Sequence, residues 1–253
     1  MYAEERQRII VERLRAHGRV EVVPLAAEFA VTAETIRRDL TALERRGLTR
    51  RVHGGAISLD RLSVEPAVGA RRTVMSAEKI RIARAALTEL PEAGTILIDA
   101  GTTTERLAAE LPPDRELTVV TNSVNVALSL HARPNLQVVL VGGRLRGTTL
   151  ATVDDWALRA LRDTFVEVAF IATNGVSAQR GLTTPDLDEA LVKQAAIDCA
   201  RRRVLLADHS KVGNDYLTRF ADLADIDTFI TDDGIDPQAR SDIAAAGPRV
   251  VAV

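Results

Sequence analysis

Hydrophobic residues recur at helical spacing in the first fifth of the chain and in short unbroken runs further on, so the two parts predict different architectures. In residues 4–16, Ile9, Ile10, Leu14 and Ala16 fall near helical spacing with charges between them, and His17-Gly18 stops that helix. A second short helix follows in residues 20–30, with Pro24 in its first turn and Val22, Leu25, Ala26 and Phe29 on one face. Val31-Thr32 breaks it. Thr32 is suited to cap a third helix, Ala-Glu-Thr-Ile-Arg-Arg-Asp-Leu-Thr-Ala-Leu-Glu-Arg-Arg-Gly, in which Ile36, Leu40 and Leu43 form the buried stripe and Gly47 ends the run. Two helices, a tight turn and a further helix predict a helix-turn-helix. Arg50, Arg51 and His53 then alternate with Val52 ahead of Gly54-Gly55, which predicts a small β wing.

Residues 56–75 show no sustained period, and Pro66 and Gly69 punctuate them. Ser76 is read as the cap of a helix with Ile80, Ala83 and Leu87 on one face. Beyond it, runs rich in Val, Ile and Leu begin near residues 95, 117, 136, 168, 203, 227 and 249, mostly separated by helical patterns. That alternation predicts a mainly parallel sheet with helices on its faces. The expected division is a winged helix-turn-helix over 1–58, a linker over 59–75 and an α/β domain over 76–253.

The chain has 253 residues, and at roughly 150 residues per domain its length suits one to two domains. Charged residues make up 27% and hydrophobic ones 46%, which excludes a largely disordered chain. The net charge of -2 hides an asymmetry: residues 1–58 carry 11 Arg against 8 acids, and the remainder carries 22 bases against 27 acids. Such a split suits two domains with different partners. No apolar run approaches 18 residues, and the first ten residues are charged without a secretory apolar stretch, so the expected location is the cytoplasm, with no membrane partner. The single cysteine, Cys199, excludes an intramolecular disulfide and most cysteine-based metal sites; it is expected to be a small buried thiol, and no metal or cofactor is expected.

The third helix carries the DNA chemistry. Thr35, Arg37 and Arg38 lie off its apolar stripe, near the end that enters a major groove, and residues 35–51 hold six Arg against two acids. Arginine can bond guanine bidentately, and threonine can bond phosphate or a base edge. Thr32, Thr35, Arg37, Arg38 and the wing's Arg51 and His53 are the candidate contacts to double-stranded DNA; for His53 a turn-capping role stands beside that one. Ligands of parallel α/β sheets bind beyond the carboxyl ends of the strands. Here those ends hold Asp99-Ala100-Gly101-Thr102-Thr103-Thr104, Thr121-Asn122-Ser123, Gly142-Gly143-Arg144, Thr173-Asn174-Gly175 and Asp208-His209-Ser210-Lys211. A glycine and three hydroxyls opening a helix make an anion site, and neither the Walker A nor the dinucleotide spacing is present. Together these ends suit a phosphorylated or polyhydroxylated ligand, although each alone is ordinary turn chemistry. Lys193 follows Glu189 by four residues, as a surface ion pair or with Lys193 turned to an anion in the crevice.

Taken together, the motifs resemble the DeoR family of bacterial transcriptional regulators. Glu-Arg-Gln-Arg-Ile-Ile, Thr-Ile-Arg-Arg-Asp-Leu and Leu-x-Arg-x-His-Gly-Gly-Ala match its DNA-binding domain. The Glu78-Lys79 helix, Asp-Ala-Gly-Thr-Thr-Thr, Val-Thr-Asn, Val-Gly-Gly, Ala-Thr-Asn-Gly, a Gly-Leu-Thr-Thr-Pro-Asp stretch leading to Glu189 and Lys193, and Ala-Asp-His-Ser-Lys-Val-Gly match its sugar-phosphate sensor domain. The resemblance implies a winged helix joined to a domain akin to ribose-5-phosphate isomerase and coenzyme A transferases. It implies a repressor of sugar metabolism genes, a homo-dimer or homo-tetramer, released by a phosphorylated sugar or glycolytic metabolite. Carried across by position, Asp99, Gly101, Thr102, Thr103 and Thr104 match the effector loop, and Thr121, Asn122, Gly142, Gly143, Asn174, Gly175, Glu189, Lys193 and Lys211 match other pocket positions. Two departures stand out: Asp154-Asp155 replaces a small glycine-containing turn, and Val68-Gly69 replaces a more usual aromatic. An enzyme acting on sugar phosphates with an appended helix-turn-helix is the competing reading, since Asp99, Glu189 and Lys211 are residue types that proton transfer uses.

Overall fold

The computed structural model describes residues 2–17, 19–46, 48–52, 54–58 and 65–253, and the chain forms two compact units, 1–65 and 66–253. The first unit runs α1 (Ala3–His17), β1 (Arg19–Glu21), α2 (Val22–Glu28), α3 (Ala33–Arg45), β2 (Thr49–Val52) and β3 (Gly55–Ser58). Ile10 and Leu14 of α1, Val22 and Leu25 of α2, and Ile36, Leu40 and Leu43 of α3 close on one another, with Val20, Phe29 and Ala56 completing the core. Thr32 caps α3 by accepting the Thr35 N–H at 3.2 Å. The wing is an antiparallel sheet in the order β1-β3-β2. One buried polar group in α3 escaped the sequence pattern: Asp39 accepts from Arg6 Nε at 2.5 Å and from Gln7 at 3.1 Å, tying α3 to α1.

The second unit opens with α4 (Val68–Thr73) and α5 (Ser76–Ala86), then β4 (Gly94–Ile98), α6 (Thr102–Glu110), β5 (Leu117–Thr121), α7 (Val124–Leu130) and β6 (Leu136–Leu140). The hairpin β7 (Arg144–Arg146) and β8 (Ala151–Val153) leads to α8 (Asp155–Arg162) and β9 (Val166–Ala172). After β10 (Gly175–Ser177), β11 (Gly181–Thr184) and α9 (Leu187–Asp198), the chain ends with β12 (Ala200–Leu206), β13 (Thr218–Ala221), β14 (Thr228–Thr231), α10 (Pro237–Ala245) and β15 (Arg249–Ala252). All seven apolar runs read from the sequence enter one parallel sheet, ordered β15-β14-β12-β9-β4-β5-β6. Alternate residues face opposite sides. Ile96, Ile98, Val168, Phe170, Val204 and Leu206 pack with α5, α6 and α7, while Leu97, Ala169, Ile171 and Leu205 pack with α8 and α9. Each fully buried aliphatic side chain contributes about 1.5–3 kcal/mol. The sheet starts at β4, grows outward to β6, then resumes on the other side of β4 with β9, so the direction of growth reverses between β4 and β9. A crevice opens at such a reversal.

Two expectations for residues 59–86 are corrected. Residues 68–73, expected within the linker, form α4 and belong to the second unit: the Val68 N–H donates to Thr148 O at 2.8 Å and Arg72 pairs with Glu105 at 2.8 Å. Ser76 does not cap α5. The cap position is Met75, at a positive φ of 53°, and the buried face is Lys79, Ile82, Ala83 and Ala86 rather than Ile80, Ala83 and Leu87. The register differs because Lys79, which an apolar stripe leaves out, is only 2% exposed.

The α2–α3 turn stores local strain. Val31 N–H reaches Ala26 O at 3.0 Å and Ala30 N–H reaches Ala27 O at 3.3 Å, a Schellman closure in which Ala30 takes φ 51°. Glycine usually fills that place, because a Cβ there costs about 1–2 kcal/mol. Ala30→Gly should therefore stabilise the N-terminal unit by about 1 kcal/mol. Slower hydrogen exchange of the α2 and α3 amides in the full chain is the expected outcome; unchanged or faster exchange would show that Ala30 is not strained.

Candidate functional site

On the first unit, α3 and the wing share a basic surface. Arg37 and Arg38 are exposed and meet Glu34 at 3.3 Å and 4.0 Å. Exposed pairs of this kind contribute at most about 1 kcal/mol and yield readily to a polyanion. Thr41 Oγ1 donates to Arg37 O at 2.8 Å and accepts from Arg51 Nη1 at 3.3 Å, so the wing arginine lies beside the helix arginine. The Arg51 N–H is held by Glu44 at 2.8 Å. Thr32 and Thr35 sit at the start of α3, their hydroxyls 2.9 Å apart. His53 lies outside the described residues.

On the second unit, a narrow cleft lies beyond the ends of β4, β9 and β12. Its lining brings together seven of the expected positions: Gly101, Thr102, Thr103, Asn174, Glu189, Lys193 and Lys211. The first turn of α6 supplies Thr102 and Thr103, so outward amides and the positive end of the helix dipole meet the cleft there. Gly101 is demanded by packing alone, since a Cβ would stand 2.4 Å from the Cβ of Ala172.

The Glu189–Lys193 surface pair is not what forms; both residues are buried. Lys193 Nζ donates to Asp99 Oδ2 at 2.5 Å and to Ala172 O at 3.0 Å, and stands 5.8 Å from the Phe220 ring centre. Asp99 is 1% exposed and also accepts the Ala172 N–H at 3.1 Å, so it lies beneath the cleft as the partner of Lys193. Glu189 accepts from Arg146 Nη1 at 3.3 Å and from the Thr149 hydroxyl.

The remaining expected positions stand outside the lining. Thr104 Oγ1 donates to Gly101 O at 2.8 Å. Thr121 Oγ1 donates to Ile98 O at 2.6 Å and accepts the Ser123 N–H at 3.0 Å. Asn122 Oδ1 accepts the Ala100 N–H at 3.1 Å and thereby shapes the loop into α6. Gly142 and Gly143 are exposed past the end of β6, and Gly175 is buried against the Asn214 backbone.

The sequence pattern missed Arg71 of α4 and Thr149, both in the lining, and Lys79 behind it, while Thr173, read at its strand end but not among the pocket positions, lines the cleft too. Lys79 Nζ donates to Arg71 O at 2.7 Å and Val74 O at 2.5 Å, and lies 3.9 Å from Asp208 Oδ2. Burial lowers its pKa to about 8; Asp208 opposes the shift, while Lys211, Arg71 and Arg106 add to it. The one available sequence signal was Glu78-Lys79 itself, quoted as a motif without a role. The Asp154 departure also finds a structural use. Asp154 takes φ 90° and ψ -174°, a backbone region almost reserved for glycine, and its carboxylate accepts the Trp156 N–H at 2.9 Å and the Arg144 N–H at 3.0 Å.

Cys199 is buried, and burial pushes its thiol up to about 11. Among the described residues no cluster of three or more His, Cys, Asp or Glu could hold a metal ion, and no helix is long and apolar enough to cross a membrane.

Comparison with known proteins bears on both units. Residues 6–61 match the DeoR-like helix-turn-helix domain, and residues 74–233 match the DeoR C-terminal sensor domain. The HTH-type transcriptional regulator GlpR of Haloferax volcanii is 39% identical over 251 residues, covering 99% of this chain and 98% of that protein. The glycerol-3-phosphate regulon repressor of Escherichia coli K12 is 32% identical over 232 residues, covering 92% of each. Among solved structures, ribose 5-phosphate isomerase A of Methanocaldococcus jannaschii aligns over 55% of either chain at 15% identity with a TM-score of 0.41, a likeness that decides nothing about activity. With sensor and helix-turn-helix both matched in order, and with relatives named as regulators rather than enzymes aligned over nearly the whole length, the chain belongs to the DeoR family of DNA-binding transcriptional regulators.

Proposed function

We propose that this regulator represses genes of sugar metabolism and that a phosphorylated sugar, bound in the strand-end cleft, weakens its hold on operator DNA. The observation that carries the reading is the distribution of charge in the cleft. Lys193 is held by Asp99 at 2.5 Å, and the α6 amides share the cleft lining with Arg71 and Lys211, which supply cationic groups for an anion. A phosphate belongs there. Asn174, Thr149 and Glu189 of the same lining offer the mixed donors and acceptors that sugar hydroxyls need, while the Thr173 hydroxyl donates to the Gly175 and Thr183 carbonyls. Lys79, bonded to the Arg71 carbonyl, sets where Arg71 stands. The repressor sign draws support from the relative that is a glycerol-3-phosphate regulon repressor.

On DNA, α3 enters the major groove with Thr35, Arg37 and Arg38, Thr32 at its cap and the wing's Arg51 at the backbone, with His53 as a further candidate contact. Paired readers on a homo-dimer or homo-tetramer in the cytoplasm would meet half-sites about one helical turn apart or a multiple of it. The effector acts by favouring an arrangement of paired readers that fits the operator poorly, with a coupling of about 1–3 kcal/mol.

Three outcomes are expected. Arg37→Ala and Arg38→Ala should each weaken operator binding by about 1–3 kcal/mol in gel shifts, and binding should fall steeply with salt. If both variants bind as tightly as the unaltered protein, α3 is not the reading helix. In calorimetry with ribose 5-phosphate, fructose 1-phosphate, fructose 6-phosphate and glycerol 3-phosphate, Arg71→Ala and Lys211→Ala should each weaken the best binder by about tenfold or more, since a charge-assisted bond is lost. The matching dephosphorylated sugar should be indifferent to both changes; equal losses for both forms would remove these residues from the phosphate. Near pH 8 about half of the chains hold Lys79 neutral, and a phosphate dianion nearby favours its charged form. Binding at pH 8 should therefore take up a fraction of a proton, seen as a dependence of the calorimetric heat on buffer ionisation enthalpy. Lys79→Met should abolish the uptake; uptake that survives would place the titrating group elsewhere.

A further inference from the structure

The second unit carries an apolar face that the cleft does not use. On α8 and α9, Trp156 is 71% exposed, Leu187 61% and Leu191 50%. Trp156, Leu158 and Leu191 line a shared groove whose rim holds Asp155, Asp188 and Arg159. Trp156 is the single tryptophan of the chain. A face this apolar around an aromatic side chain is characteristic of an interaction surface.

We infer that this face joins two copies of the chain, α8 packing antiparallel against α8 of the second copy across a twofold axis. The exposed positions of α8 run Asp155, Trp156, Arg159, Ala160 and Arg162, with the acid in the first turn and both bases in the last. An isologous contact requires a surface complementary to itself, and this one is, in both charge and shape. Antiparallel packing sets Asp155 of each copy against Arg159 and Arg162 of the other. It also sets Trp156 over Ala160, four residues along the same face, so a large side chain meets a small one twice. Leu187 and Leu191 widen the apolar centre from α9.

The start of α8 is built as a rigid platform for this contact. Asp154 holds a glycine-like backbone and clamps the Trp156 and Arg144 amides with one carboxylate. A strained backbone retained at an exposed helix start fits a site whose geometry matters. Asp188 on the rim is paired with Arg144, and Asp155 is balanced by Arg159, so the rim presents no net positive field to draw nucleic acid.

Sedimentation of the full chain together with the emission of Trp156 tests the pairing. Dilution should dissociate the assembly and shift the Trp156 emission to the red as the ring meets water. Trp156→Ala and Asp155→Arg should each raise the dissociation constant about tenfold or more, as expected on losing a central anchor or setting like charges in contact. Both side chains are exposed, so the helical content should stay as in the unaltered protein. Asp155→Arg combined with Arg162→Asp should restore association, which a merely structural role would not. The inference is overturned if the unaltered chain is monomeric at its highest soluble concentration, or if both single variants associate as it does. It is also overturned if the assembly dissociates without any change in Trp156 emission, or if operator DNA alone shifts that emission.

Discussion

The ion pair between Asp99 and Lys193 is the constraint around which the sensor unit is arranged. It stands at the point where sheet growth reverses between β4 and β9, and it joins the end of β4, the backbone of Ala172 at the end of β9, and α9. Both groups are almost fully buried, so removing either partner alone would leave a stranded charge at a cost of about 3–5 kcal/mol. The neutralised pair gives the crevice a rigid floor.

Lys79 repeats the logic on the other side of the cleft with a different result. Its ammonium bridges two backbone carbonyls at the α4–α5 junction and faces Asp208 at 3.9 Å rather than in tight contact. Burial lowers its pKa to about 8, with Lys211, Arg71 and Arg106 adding to the shift and Asp208 opposing it. One buried lysine is thus locked and the other poised. The poised one holds the short helix that carries Arg71 and that follows directly on the connection to the DNA-binding unit.

The two units use electrostatics differently. In the first, the buried pair of Arg6 with Asp39 ties α1 to α3, while Arg37 and Arg38 stay at the surface in weak pairs with Glu34 and Arg51 of the wing bonds Thr41. That arrangement keeps the helix in place and its positive charge available to phosphates. In the second, the charged residues that matter are drawn inside, where low dielectric makes each pairing decisive.

Local pattern determined most of the architecture. Helical spacing of Ile36, Leu40 and Leu43 and the cap at Thr32 specify α3, because both signals act within one or two turns. The seven apolar runs specify the sheet strands, because a strand covered on both faces must be apolar throughout. The strand ends were legible as a polar region, but not which residues face the cleft: Thr104, Thr121 and Asn122 have the chemistry of Thr102, Thr103 and Asn174, yet turn to backbone partners. Nor was Arg71 legible, since a helix of six residues leaves no periodic trace and holds only through contacts such as Lys79 and Arg72–Glu105. The pairing of Lys193 with Asp99, 94 positions away, over Glu189, four positions away, was likewise decided in three dimensions. Burial removes water as a competing partner, so the nearest opposite charge in space prevails over the nearest in sequence.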